Sequence, residues 1–275
     1  MKRSLLFTAA LLATLPVTAM AHKQWLLPSS TSVTGNDAWV TVDAAVSNDL
    51  YYPDFVPVKL DALSITAPDG SSQQPQHAAT LKSRSVFDVE LSQSGSYRIA
   101  SLNHGLSAHW GDPQAAKGDK SGASGRLRNV SPEELDAKIP KNAQNLEISE
   151  NLARVETFVT HGAPSELKSS GKGLELVPVT HPNDLFAGEN ASFTFTIDGK
   201  PAAGIEVSVV RGATRYRNEQ QDAHYTTDAQ GRISVSCDKP GMYWLQARSE
   251  DQNTSLPRAT VRRLAYTATL EVLPQ

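Results

Sequence analysis

Apolar residues recur at every second position through most of the chain, in short runs closed by Gly, Pro, Asn and Asp. That period belongs to half-buried β-strands. Trp39, Val40, Val42 and Ala44 open the pattern, and Leu63-Ser64-Ile65-Thr66-Ala67 repeats it up to Pro68-Asp69-Gly70, where Pro fixes φ and Gly supplies a positive one. Val86, Phe87, Val89 and Leu91 lead to the turn Gln93-Ser94-Gly95, after which Tyr97, Ile99 and Leu102 resume. The second half uses the same grammar. Phe193, Phe195 and Ile197 reach Asp198-Gly199-Lys200-Pro201, a hairpin signal that feeds Ile205, Val207 and Val209. Thr227-Asp228-Ala229-Gln230-Gly231 turns the chain into Ile233 and Val235, and 265–273 forms a last strand. The expected fold is all-β: two antiparallel β-sandwich domains over 22–165 and 174–275, the second immunoglobulin-like or transthyretin-like.

Three stretches depart from this period. Residues 103–130 scatter Gly105, Gly111, Gly118, Gly122 and Gly125 among Ser, Lys and Asp, which predicts a mobile loop or lid. Ser131-Pro132-Glu133-Glu134 predicts one short helix near 131–138, with Ser131 as its cap, Pro132 in its first turn and Glu134 at the capping-box position. Residues 165–173 are rich in Gly and Ser and suit a boundary between the domains. The beginning of the chain changes the picture further. Lys2 and Arg3, the apolar run from Leu5 to Leu15, Pro16 and Ala19-x-Ala21 together predict a signal peptide over 1–21, cut after Ala21. An exported, periplasmic protein is expected, and with no Cys after the cut it has no lipid anchor. Cleavage would remove two of the 26 basic residues and none of the 29 acidic ones, moving the net charge from −3 to −5. That balance gives no reason to expect nucleic acid or an anionic membrane surface as a partner. The single cysteine, Cys237, has no partner for an internal disulfide.

Cleavage would also make His22 the amino terminus, so one residue would carry a free amine and an imidazole, two nitrogen donors suited to nickel, cobalt, copper or zinc. The amine must lose a proton to bind, which its reference pKa of about 7.7 permits near neutrality. Seven histidines are present, and none stands at a metal-ligand spacing, so the fold would have to assemble a site. His181, with Asp184 three residues on, lies in the segment joining the two domains and is the second candidate metal ligand. His104 and His109 flank the glycine-rich stretch and are weaker candidates to close over a ligand. Arg211, Arg215, Tyr216 and Arg217 read as a solvated loop or a grip for an anion. Tyr51, Tyr52 and Phe55 beside Asp54 read as a core edge or an aromatic platform, and Arg262-Arg263 reads as a charged strand edge. There is no Gly-x-Ser-x-Gly elbow, no phosphate-binding glycine loop and no activating partner beside Cys237.

The start His22-Lys23-Gln24-Trp25-Leu26-Leu27-Pro28 and the segment Gly173-Leu174-Glu175-Leu176-Val177-Pro178-Val179-Thr180-His181-Pro182-Asn183-Asp184-Leu185, together with Gly188-Glu189 and the two turns above, resemble the domain of unknown function 4198 family. The resemblance covers nearly all of the mature chain. It implies a two-domain β protein linked to nickel or cobalt uptake, working beside an outer-membrane receptor, and it implies no reaction; an inner-membrane transporter is a further expected partner. The reading is a non-catalytic binder of a metal ion or metal chelate. The alternatives are an adhesion-type module for a protein or glycan and, further off, a copper histidine-brace enzyme, for which no second brace histidine is identified.

Overall fold

The computed structural model describes residues 22–112 and 123–275; the signal peptide expected over 1–21, and residues 113–122 of the expected loop, lie outside the described residues. Counting strands of four residues or more, the chain runs β1 (Lys23–Pro28), β2 (Trp39–Ser47), β3 (Leu63–Thr66), β4 (Gln76–Thr80), β5 (Ser85–Glu90), β6 (Gly95–Trp110), β7 (Gly125–Val130), α1 (Pro132–Lys138), β8 (Glu147–His161), β9 (Leu174–Pro178), β10 (Glu189–Ile197), β11 (Glu206–Arg211), β12 (Ala223–Thr226), β13 (Arg232–Cys237), β14 (Gly241–Asp251) and β15 (Val261–Val272). One sheet has the order β1-β2-β5-β4 and another contains β9, β10 and β13. Between them lies a ten-stranded sheet, β12-β11-β14-β15-β8-β6-β3, with β7 also beside β6 and two-residue strands completing the count.

The fold is two β-sandwiches, as the alternation predicts, and both use this middle sheet. Strand β8 explains how. Successive side chains point to opposite faces, so Val155 and Val159 enter one core with Val42, Phe87, Tyr97 and Ile99. Phe158 enters the other, with Leu176, Phe193, Phe195 and Tyr266, and Leu152 packs against it. Each fully buried side chain of this kind stabilises the fold by about 1.5–3 kcal/mol. The sandwiches join where β8 and β15 pair in parallel, with Leu152 beside Leu264 and Val155 beside Thr267. A third cluster of Trp25, Ala45, Leu50, Val210 and Trp244 spans the junction. There Trp244 Nε1 donates to the Gln24 carbonyl at 3.0 Å and Trp25 Nε1 to Ser47 Oγ at 2.7 Å, so both indoles are polar-satisfied where they are buried.

Helix α1 forms where Ser131 predicts it, with both bonds of the capping box present. Its Leu135 covers Leu106, Ala108, Val130 and Ile148. The mobile loop expected over 103–130 is corrected by this same cluster. Asn103–Trp110 continues β6 to its end, and Gly125–Val130 returns beside it as β7. The period persists in Leu106 and Ala108, which are buried, while Asn103, Gly105, Ser107 and His109 fill the opposite face with short or polar groups. Gly125 is required by close approach, since a Cβ there would lie 2.2 Å from the Trp110 ring.

The Gly/Ser-rich connection between His161 and Leu174 is held against the sheet. Arg98 Nη1 donates to the Lys168 carbonyl at 2.7 Å and Arg154 Nη2 to Ser170 Oγ at 2.9 Å. Glu175 accepts from Ser169 Oγ and Ser170 N. Burial would raise the Glu175 carboxyl, but these bonds and the Arg154 charge hold it below the usual carboxylate range. Among the described residues no helix is long and apolar enough to cross a membrane.

Candidate functional site

His22 stands exposed immediately before β1, its ring stacked on Phe55 with centroids 4.0 Å apart and planes 13° from parallel. Two loops from different sandwiches meet beneath it. The 48–56 loop is closed by Asp54, which accepts from Asn48 N at 2.8 Å, and it turns through Tyr51 in the left-handed region at φ 64°. Tyr51 packs inward with its ring edge-on to Trp25, while Tyr52 and Phe55 stay at the surface. The 212–222 loop comes against it because Gly212 has no side chain: a Cβ there would lie 3.1 Å from the Tyr51 ring. Arg217 folds that loop by donating to the carbonyls of Gly212, Arg211 and Gln220 at 2.7–2.9 Å, and burial beside Arg211 lowers its pKa. Arg217 is therefore a structural staple; it does not grip an anion. Arg215 lies 4.0 Å above the Tyr52 ring and 3.8 Å from Asp49. Lys23, largely buried, places Nζ over the Trp244 ring and donates to Gln220 Oε1 at 3.3 Å. Burial lowers its pKa against the opposing pull of Asp222 and Asp49. Two sequence clusters far apart in the chain thus form one surface around His22, with Tyr216, Phe55 and Val56 exposed.

His181 is elsewhere. Its Nε2 lies 3.0 Å from Ser96 Oγ and 3.1 Å from the Ser165 carbonyl, and its Nδ1 accepts from Asn183 N at 3.1 Å. An accepting Nδ1 requires the proton on Nε2, the neutral tautomer, and burial lowers the ring's pKa in the same direction. Thr160 links this node to the far end of β1, bonding Ser96 Oγ through Oγ1 and the Thr31 carbonyl through N. His22 and His181 therefore sit at opposite ends of a six-residue strand, which at roughly 3.3 Å per residue separates them by about 20 Å. They do not form one site. Asp184 is exposed and its N–H donates to the His181 carbonyl at 2.9 Å, closing a turn.

His104 and His109 do not converge either. Five positions apart on β6, they face opposite sides of the sheet. His104 Nε2 is 2.7 Å from the buried Glu150, which also accepts from Ser255 and Leu256 and anchors their loop. His109 lies 3.8 Å from Glu147. His77 meets Asp88 at 2.9 Å, His161 meets the Gly35 carbonyl at 2.8 Å, and His224 meets Asp222 at 3.2 Å. Six of the seven imidazoles thus have a protein partner, and His22 is the exception among the described residues. No group of three or more His, Cys, Asp or Glu able to hold a metal occurs among the described residues. Arg262 and Arg263 are not on an edge: β15 is flanked by β14 and β8. Arg262 is buried in a fork with Asp251 at 2.6 Å and Asp198 at 2.8 Å.

The chain belongs to the family described as "Domain of unknown function (DUF4198)", whose model matches residues 19–251. No curated protein sequence matches it. Among solved structures it is similar to the D0-D1 domain of intimin, with 11% identity over 90% of this chain and 97% of that one, at a TM-score of 0.23. A marsupial T cell receptor gives 13% identity over 92% and 74% at 0.21, and trypsin-activated alpha-2-macroglobulin from Escherichia coli gives 12% over 90% and 23% at 0.19. Scores this low say nothing about a site.

Proposed function

We propose that the protein is exported to the periplasm and binds a transition metal ion or metal complex through its processed amino terminus, without catalysis, for delivery to uptake machinery. The observation that supports this is the free state of His22. Its ring is exposed, its nitrogens have no partner among the described residues, and Phe55 holds the ring plane. Cleavage after Ala21 adds an amine to the same residue, and the two nitrogens then close a chelate. Two protein donors leave coordination positions open for water or for a ligand that arrives with the metal. An open site of that kind suits hand-over better than storage, and nickel, copper, cobalt and zinc all accept such donors. His181 and Asp184 have no part in it.

Isothermal titration with nickel, copper, cobalt and zinc tests this on protein beginning at His22 and on protein retaining Ala21. The mature form binds at least one of the four, and the one-residue extension weakens that binding tenfold or more. Absence of binding to both forms removes the proposal. A second reading, docking of a protein or glycan, is favoured by the exposure of Phe55, Val56 and Tyr216 around the same residue. It predicts that Phe55→Ala and Tyr216→Ala abolish partner capture while His22→Ala leaves it intact.

A further inference from the structure

Where β1 ends its cover of the middle sheet, the face that carries Val155 and Val159 continues uncovered. A groove of about 840 Å³ lies there, bordered by Gln24 of β1 on one side and by β7 on the other. A second hollow of about 590 Å³ adjoins it across Asn151, Ala153 and Arg263. The floor is built of short polar residues in register: Ser107 is paired with Ser149, and Gly105, Asn151 and Arg263 stand side by side on β6, β8 and β15. Asn151 Nδ2 donates to Ser107 Oγ at 2.9 Å and to the Ser149 carbonyl at 3.4 Å, and its Oδ1 has no partner among the described residues. On the same face Val155 and Val159 of β8, Val210 of β11 and Trp244 of β14 are covered by apolar packing.

The walls are cationic. Arg263 is neutralised, with Nη2 2.6 Å from Glu147 and Nε 3.1 Å from Glu250. Arg126, opposite His109, and Arg128, two residues further along β7, are both exposed, and among the described residues neither has a carboxylate within ion-pair distance. The pairing of β7 with β6 shifts register between Leu127 and Val130, so Arg128 stands at an irregularity of the strand, and both arginines line the groove. Two open guanidinium forks on one wall of the groove suit two carboxylates of one small molecule, since each fork can bond a carboxylate in two places. We propose that this groove is a binding site for a small hydroxylated polycarboxylate, with Arg126 and Arg128 taking carboxylates and Ser107 and Asn151 of the floor taking hydroxyl groups. The volume exceeds what a lone phosphate fills, and the hydroxyl and carboxamide floor provides for a polar body between the acidic groups. The site is independent of His22.

Titration of the mature protein with citrate, inorganic phosphate and the neutral polyol glucitol tests it. Citrate binds saturably and more weakly as salt rises, because the attraction is screened; glucitol and phosphate bind at least tenfold more weakly. The double variant Arg126→Ala/Arg128→Ala weakens citrate at least tenfold. Both arginines are exposed, so its thermal transition stays with that of the parent chain. Asn151→Leu, which fills the floor, also weakens citrate, whereas His22→Ala leaves it unchanged and so separates this site from the amino-terminal one. No saturable citrate binding, phosphate binding as tight as citrate, or an unaltered affinity in the double arginine variant would each overturn the proposal.

Discussion

The two ends of β1 carry the same residue type in opposite states. At one end His22 is exposed and stacked on Phe55, with its ring nitrogens unengaged among the described residues. At the other, His181 touches Ser96, Ser165 and Asn183 and so ties the start of β6, the connection between the sandwiches and the 181–184 turn into one joint. Both lie where the two sandwiches come together, so proximity to an interdomain junction does not by itself make a binding site. What separates them is whether the imidazole's hydrogen-bonding capacity is already used inside the protein. A histidine with both nitrogens engaged must break those bonds before it can ligate anything; His22 has nothing of the kind to break.

The largest expected effect follows from removing the joint. His181→Ala leaves the Asn183 N–H and the Ser165 carbonyl without their partner, and an unmet buried polar group costs about 1–3 kcal/mol. Because His181 is only half-buried, water replaces part of what is lost, and a net destabilisation of about 2 kcal/mol is expected. For a chain of this length that lowers the thermal midpoint by roughly 4–8 °C. A His181→Ala midpoint within a degree of the parent would mean that the node is decorative, and the contrast with His22 would lose its basis.

A smaller effect separates the two ends by pH. Burial lowers the folded-state pKa of His181, so in the range just below the ordinary histidine value the unfolded chain binds a proton that the folded chain does not. Stability then rises with pH across that range. The contribution is fully present above the unfolded pKa of about 6.5 and is lost as pH falls through the lowered folded value. Denaturant titrations between pH 5 and 8 therefore show a slope that His181→Ala removes and His22→Ala preserves. An identical slope in all three proteins would assign the acid sensitivity to other groups.

How much of this is legible in the sequence depends on how local the determining contact is. Strands such as Leu63–Thr66 and Glu189–Ile197, and the capped helix after Ser131, follow from neighbours a few positions away, and they are where the alternation and the capping box put them. The second half of β6 is hidden because one of its faces is the polar groove floor, so Gly105 and Ser107 imitate a loop while Leu106 and Ala108 keep the period. The shared sheet is hidden for another reason: the parallel pairing of β8 with β15 joins residues such as Leu152 and Leu264, and period-two patterning carries no information about the partner strand. Histidine chemistry is the least legible. The groups that engage His181 come from Ser96 and Ser165, 85 and 16 residues away. Arg126 and Arg128 lie beside glycines whose scatter predicts a loop, although their i, i+2 spacing is itself a signal of one strand face.

The smallest expected change in stability is the one that sharpens the comparison most. His22 precedes the first strand and contributes one ring stack on a half-exposed Phe55. Surface substitutions of this kind change stability by less than about 0.5 kcal/mol, so His22→Ala should unfold at the parent temperature in the absence of metal. With metal, the two proteins diverge. A ligand that binds only the folded state raises its stability in proportion to RT ln(1 + [L]/Kd), about 2.7 kcal/mol at a hundredfold excess over Kd, and the parent's midpoint should climb on addition of the metal it prefers. His22→Ala keeps the amine but loses the imidazole and with it the chelate, so its midpoint should stay where it was. The measurement is a pair of thermal scans of each protein with and without the metal. Equal shifts in both would place the metal at some other donor and leave His22 as an exposed end of β1 with no ligand of its own.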